Sequence, residues 1–246
     1  MTWREKLRDA VVALELKPLT PGQLADFEQL LALLLKYNKE MNLTTIVDAE
    51  EVAFKHILDS LTVELVWRAQ EGQHVIDIGT GAGFPGLPLA IRHPELQFAI
   101  NDATKKKIDY LAEVIRALSL ENATELWGRA EELGRGEWRN KFHVVTARAL
   151  AHLGTLAEYA LPLLKMDGFL VAMKGPGGIE EVRDAAPALT FLGGKVHDIK
   201  HIDLPGVGER LLIVVKKVRP TPGGYPRNAG QMKRKPLFED NRAGRG

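Results

Sequence analysis

The stretch VIDIGTGAGFPGLPLA, residues 75–90, decides how this chain folds. Val75, Ile76 and Ile78 read as the end of a buried strand, and four glycines and two prolines then fall between positions 79 and 88. A plain turn needs one or two glycines. More than that at a strand end marks a place where backbone must come close to something else, and in open α/β sheets that place is the ligand site at the carboxyl edge. Downstream the pattern alternates. Apolar runs of buried-strand length at 74–79, 97–101, 123–127, 142–147 and 168–174 are separated by helical patterns at 85–93, 105–119 and 151–164. The middle one lines up Ile108, Leu111, Ala112, Ile115 and Leu118 on one face. Right-handed βαβ crossovers and a doubly wound, mostly parallel α/β sheet follow from this alternation. A helix over 178–192 and a final antiparallel pair, 195–203 and 210–218, complete it.

Upstream lies a helical extension. Residues 3–16 fit a short amphipathic helix. Thr20 and Pro21 open a longer one carrying Leu24, Phe27, Leu30, Leu31, Leu34 and Leu35, and a third stretch runs over 48–67. The expected division is an extension over 1–70, a Rossmann-like domain over 71–218 and an irregular tail over 219–246. The 246 residues contain no cysteine, which excludes disulfides, thiolate zinc sites and cysteine nucleophiles. The seven histidines show no HExxH spacing, so no metal is expected. The start lacks a signal-peptide core and LLALLLKY (30–37) is too short to span a bilayer, so a cytoplasmic protein without membrane association is expected. The net charge of +1 conceals a basic tail. Residues 216–246 hold nine Lys/Arg against Glu239 and Asp240, a balance of +7 that leaves −6 for the rest. Such a tail is either a polyanion contact or a solvated terminus.

Three ligand classes compete for the glycine turn. A P-loop requires GxxxxGK[ST], and no Lys-Ser/Thr follows here. The dinucleotide fingerprint GxGxxG would put Phe84 at its third glycine, where close helix–strand packing tolerates no side chain. The arrangement Asp77-x-Gly79-x-Gly81-x-Gly83 remains, and it resembles the first motif of the class I S-adenosylmethionine-dependent methyltransferases. The resemblance implies glycine backbone beside the methionine moiety, a carboxylate for its ammonium group, and an acid at the end of the second strand for the ribose hydroxyls. Asp102, 23 positions past Gly79, stands at that spacing.

A closer resemblance rests on YNKEMNLTTI (37–46), HILDSL (56–61), DIGTGAGFPGLPLA (77–90), DATKKKIDYL (102–111), GRAEEL (128–133), VTARALAHL (145–153), AMKG (172–175) and YPRNAGQMKRKPL (225–237). Together these are similar to the ribosomal small-subunit RNA methyltransferase G family, also called the glucose-inhibited division protein B family. Asn101 departs from it, standing where members often carry an aliphatic residue. The resemblance implies a seven-stranded sheet, S-adenosylmethionine as methyl donor, and methylation of guanine N7 in 16S rRNA of the small ribosomal subunit. It further implies cofactor contacts at Gly79, Phe84, Asp102, Ala103, Thr104, Ala130, Glu131 and Arg148. From the residues alone, Glu131 reads more simply as a solvated acid at a helix start.

Guanine N7 carries a free in-plane lone pair, so no general base is expected; alignment should dominate. Arg148, Lys174 and Arg227 are candidates for holding the guanine or its RNA, and Lys233, Arg234 and Lys235 for neutralising phosphates. His56 and Asp59, three apart, are either a helix-stabilising pair or part of the site wall. Trp127 and Trp138 read as core or interface aromatics rather than base platforms. A monomer is expected. A methyltransferase acting on another RNA, a protein or a small molecule is the alternative.

Overall fold

The helical extension is built by local signals that the sequence states openly. In the computed structural model, which describes residues 1–238, α1 spans Trp3–Ala13 and α2 spans Pro21–Met41. The Thr20 hydroxyl accepts from the Gln23 amide while the Gln23 side chain accepts from the Thr20 amide, and Pro21 fills the first helical position. Asn42, in the left-handed region, ends α2. The third stretch is helical from Ala49 to Leu65 but not regular. α3 (Ala49–Val52) and α4 (Asp59–Leu61) flank a π-helical turn over Ala53–Leu58, and a 3-10 turn over Thr62–Leu65 closes it. The wider π turn changes the helical phase of the residues after it, and such turns gather at functional sites. Here it lets His56 and Asp59 reach one cavity.

The seven strands are β1 (His74–Ile78), β2 (Gln97–Asp102), β3 (Ala123–Trp127), β4 (Phe142–Arg148), β5 (Leu164–Lys174), β6 (Gly194–Leu204) and β7 (Gly208–Lys217), in the order β3-β2-β1-β4-β5-β7-β6. The first five are parallel, and β7 runs antiparallel to both β5 and β6. The crossover helices are α5 (Gly86–Arg92), α6 (Lys105–Ala117), α7 (Ala130–Leu133), α8 (Leu153–Ala160) and α9 (Gly178–Leu192). The doubly wound expectation holds. α1, expected to reach 16, ends at Ala13. The largest boundary change is at β5: the helix expected over 151–164 stops at Ala160, and β5 begins at Leu164 instead of 168. Asp167 there has φ 63°, a Cβ on Gly168 would come within 2.8 Å of the His143 carbonyl, and the β4–β5 register shifts. A strand passing through a bulge reads locally as a loop.

Each sheet face carries a core. On one, Leu7, Phe27, Leu30 and Ile57 of the extension join the same cluster as Val75, Leu87 and Val144. On the other, α8 and α9 pack Leu156, Ala160, Leu189 and Leu192 against Ile76, Val145 and Ile213. Arg92, 6% exposed, ties the extension to α5 through Glu64 (Nε–Oε1 2.8 Å), the Gln23 side chain and the Pro18 carbonyl.

The C-terminal segment departs from its expected irregularity. Arg139 donates to the carbonyls of Thr221, Pro222 and Tyr225, and the Thr221 hydroxyl donates to the Leu192 carbonyl. Asn228 caps α10 (Ala229–Arg234) in a reciprocal box with Gln231; Met232 is buried and Phe238 stacks on His152 at 3.9 Å. Apart from the local Asn228–Gln231 box, these anchors reach across the chain to distant partners, so no local periodicity announces them. Glu239, Asp240, Arg242 and Arg245 of the expected basic tail lie outside the described residues.

Candidate active site

The glycine turn begins from a carboxylate that faces inward. Asp77 is fully buried; its Oδ1 accepts from the Thr146 hydroxyl (3.0 Å), and its Oδ2 accepts from the Thr80 hydroxyl (2.5 Å) and the Gly86 amide (2.8 Å). The expectation that Asp77 meets a cofactor ammonium is therefore corrected. Its oxygens bind the end of β1 to β4 and to the start of α5, and no surface of it is left for a ligand. Burial raises its pKa from the ordinary 3.8 to about 6, against the lowering effect of those three donors and of Arg148.

A pH dependence results. With the folded pKa above the unfolded one, the folded state holds a proton that the unfolded chain has released. This contribution to stability is complete below pH 3.8 and is lost as pH rises through about 6. Asp77→Asn removes the titration but keeps a carbonyl oxygen. Between pH 4 and pH 7 its stability relative to wild type should improve by on the order of 2 kcal/mol. Denaturant melts across that range measure it; parallel curves would show a carboxylate ionised throughout.

The glycines divide by what they face. A Cβ at Gly79 would come within 2.5 Å of Leu150, one at Gly83 would overlap the Leu87 side chain, and one at Gly86 would lie 2.7 Å from Ile100 and 2.9 Å from Asp77. Gly83 and Gly86 pack protein against protein, whereas Gly79 meets only the tip of the exposed Leu150 side chain. A Cβ at Gly81 (φ 62°) would meet nothing within 4 Å. Its amide donates to Asp102 Oδ2 (3.1 Å) while Asp102 Oδ1 accepts from the Thr104 amide (2.8 Å), with Lys107 at 3.4 Å. Ala103 and Thr104 are exposed on the turn beyond β2. Asn101 donates to the carbonyls of Leu126 and Gly128, so the departure at that position steadies the end of β3. Beyond it Ala130 and Glu131 open α7. Glu131 is 5% exposed and accepts no hydrogen bond from the described residues; Arg129 is the nearest cation, at 3.9 Å. An open glycine, a carboxylate and a buried, donorless acid thus lie across the carboxyl tips of β1, β2 and β3.

Beside this row, at the tips of β4 and β5, opens a cavity of about 650 Å³ whose wall includes His56, Asp59, Arg148, Lys174, Glu181 and Arg210. Asp59, 2% exposed, accepts from Arg148 Nη1 at Oδ2 and from Arg210 Nε at Oδ1, both at 3.0 Å. Arg148 also donates to the Lys55 carbonyl (3.0 Å), and its guanidinium stands 5.4 Å from the Phe84 ring centroid. Phe84 is buried and stacks on His56 at 4.9 Å. Burial, and then the Arg148 charge, push the His56 pKa down to about 4, so the ring is neutral at neutral pH. Its Nε2 lies 2.9 Å from the Thr44 hydroxyl.

The candidates thus separate. Arg148 and Lys174 line the cavity, Lys174 paired with Glu181 (2.8 Å) and donating to the Ala151 carbonyl. Arg227 is elsewhere, clamped onto buried Glu158 on the flank of α8 by Nε (2.8 Å) and Nη2 (2.7 Å). His56 and Asp59 do not pair with each other; both form cavity wall. Trp138 stacks on Phe142, whereas Trp127 is 59% exposed, so of the two readings, core or interface aromatic, the core one does not hold for it. Sequence reasoning missed Arg210, Glu181 and Thr44. Each meets its partner by tertiary contact, and no local motif marks it.

No helix among the described residues is long and apolar enough to cross a membrane. A family profile described as rRNA small subunit methyltransferase G matches residues 23–212. The chain is 42% identical to a ribosomal RNA small subunit methyltransferase G of Desulforamulus reducens, over 89% of this chain and 92% of that protein. It is 45% identical to one of an Exiguobacterium species, over 89% and 93%. The crystal structure of a SAM dependent methyltransferase from Aquifex aeolicus superposes with a TM-score of 0.53 at 19% identity, covering 75% of this chain and 98% of that one. That likeness establishes the class I methyltransferase fold.

Proposed function

The chain belongs to the rRNA small subunit methyltransferase G family, and from this premise we propose that it methylates N7 of a guanine in 16S rRNA, acting on the small ribosomal subunit in the cytoplasm. S-adenosylmethionine, its methyl donor, supplies a sulfonium-bound methyl group that passes to the attacking nitrogen as the S–C electron pair returns to sulfur. The residues present fit that group. Gly81 faces open space, Asp102 has acceptor capacity left for ribose hydroxyls, and Glu131 is a buried acceptor without a donor among the described residues. Ala103, Thr104 and Ala130 would flank it.

The cavity of Arg148, Asp59 and Arg210 carries the acceptor side of the reading. Attack by N7 releases no proton, so the site needs alignment and charge balance rather than a base. The methylated base is a cation. Carboxylates of Asp59 and Glu181 offset two of the three charges on Arg148, Arg210 and Lys174, so the wall opposes the developing charge far less than three bare cations would. Free arginine favours a bidentate grip on guanine O6 and N7. Asp59 accepts from both guanidinium groups, which leaves them less free to grip N7. His56, neutral and held beside Thr44, adds shape without adding charge. The base must leave its stack to enter.

The test is to incubate the enzyme with small subunits and methyl-labelled donor, then map 16S rRNA by mass spectrometry and by borohydride–aniline cleavage, which cuts at N7-methylguanosine. Label at one such guanine is expected. Label in protein, in a metabolite or on an exocyclic amine would overturn the assignment.

Lys233, Arg234 and Lys235 are exposed and have no acidic partner among the described residues, and the anchors of α10 hold them in place. We assign them to the phosphates of the RNA. Truncation at residue 220 would also remove the Arg139 and Glu158 anchors, so charge removal is the cleaner probe. Changing all three to alanine should lower the salt slope of RNA binding by about 2 to 3. An unchanged slope would place the RNA elsewhere.

A further inference from the structure

Of the four tryptophans, only Trp127 is exposed. It ends β3, which pairs with β2 alone and so forms one edge of the sheet. Its indole Nε1 donates to the Ala103 carbonyl (3.2 Å), which pins the ring against the turn beyond Asp102. Lys105 Nζ stands 6.0 Å from the ring centroid, and Arg129, two residues on, has a side chain 61% exposed. The first turn of α6 reads Lys105, Lys106, Lys107 with no acid in it, although a helix start favours the opposite charge. Lys105 pairs with Asp109, and Lys106 donates to the Glu40 carbonyl. A sequence that sets a large apolar ring in water among cations gives up local stability at that spot, and such departures gather where a ligand is met.

We propose that Trp127 is a stacking platform for a nucleotide flanking the target guanine, with Lys105 and Arg129 set beside it for the adjoining phosphates. The inference rests on the rRNA reading above and adds a second contact, at the β2–β3 side of the cofactor row, away from the β4–β5 cavity. Single-stranded RNA is the occupant that fits. Base stacking on an aromatic face amid cations is how such strands are held, and it tolerates any base. A protein partner would find charged residues where an interface core places apolar ones. The polar edge of the indole is already committed to Ala103 and Lys105 stands over one face, which leaves the other face to the ligand.

The test uses Trp127→Ala and Trp127→Phe with two probes, a 16S rRNA transcript and S-adenosylmethionine. Trp127→Ala should weaken transcript binding on the order of tenfold, with the salt slope and the calorimetric affinity for S-adenosylmethionine unchanged. Trp127→Phe should recover most of the loss. Thermal melts should match wild type, because the ring is exposed. Unchanged transcript affinity would overturn the proposal. So would a loss confined to S-adenosylmethionine affinity, which would make the ring a cofactor wall. Failure of the underlying reading is seen separately, as wild-type enzyme that does not methylate 16S rRNA.

Discussion

Asp59→Ala should lower kcat/KM for 16S rRNA by about 10²-fold or more, the scale of misplacing a positioned group by an ångström. The carboxylate is the common acceptor of Arg148 and Arg210, one from the end of β4 and the other from β7. Without it two cations face one cavity uncompensated, where the product itself is to become a cation. Removing one side of a buried ion pair destabilises proteins by about 3–5 kcal/mol; Asp59 is 2% exposed, although its partners are more open, so the loss should fall at or below the lower end. Asp59→Asn keeps an acceptor oxygen and the shape but not the charge. It should therefore recover stability before it recovers rate. Single-turnover methyl transfer at saturating donor, alongside a denaturant melt, separates the two. An alanine variant within threefold of wild-type kcat/KM would show that the two arginines need no anchor.

Gly81→Val should abolish measurable S-adenosylmethionine binding, a loss of at least about 10²-fold, equivalent to about 2.7 kcal/mol. Two effects act together. A side chain at φ 62° is strained by about 1–2 kcal/mol, and more for a β-branched one. Its atoms would also enter space that no protein atom occupies within 4 Å of the Cβ. Because nothing in the fold is struck, the protein should stay folded. Gly83→Ala provides the contrast: its methyl would overlap Leu87 and press on Leu111, so it should lose stability first and affinity only as a consequence. Calorimetric titration with parallel melts distinguishes a glycine that makes room for a ligand from one that makes room for a neighbour. Equal melting losses in both variants would remove Gly81 from the cofactor surface.

The fold was legible because its determinants are local or periodic. The Thr20–Pro21 start, the single apolar face of α6 and the strand–helix alternation from residue 74 each appear within a few turns of chain. The cofactor row was legible as a motif, but its directions were not. Four glycines look alike in sequence, while the structure points Gly83 and Gly86 at buried neighbours, Gly79 at the tip of the exposed Leu150 side chain and Gly81 at open space. Asp77 misled for a similar reason: an acid beside glycines suggests a ligand, yet three internal donors claim it. Arg210 and Glu181 could not be singled out, since a charge in a strand or at a helix start is usually a solvated one. Arg227 failed in the opposite sense, because nothing near it in sequence announces Glu158. For Trp127 the sequence left core and interface open, because exposure is decided by what the rest of the chain leaves uncovered.

The span of the Asp59–Arg210 contact also bears on synthesis. The two residues are 151 positions apart, and Arg210 lies in the last strand to be made. A growing chain carries its glycine turn long before its acceptor wall can close. No fragment lacking β7 holds both guanidinium groups, and no fragment lacking the extension holds the carboxylate between them. The acceptor wall is therefore completed only when the final hairpin adds to the sheet. A copy without β7 keeps its glycine turn but leaves Asp59 without Arg210.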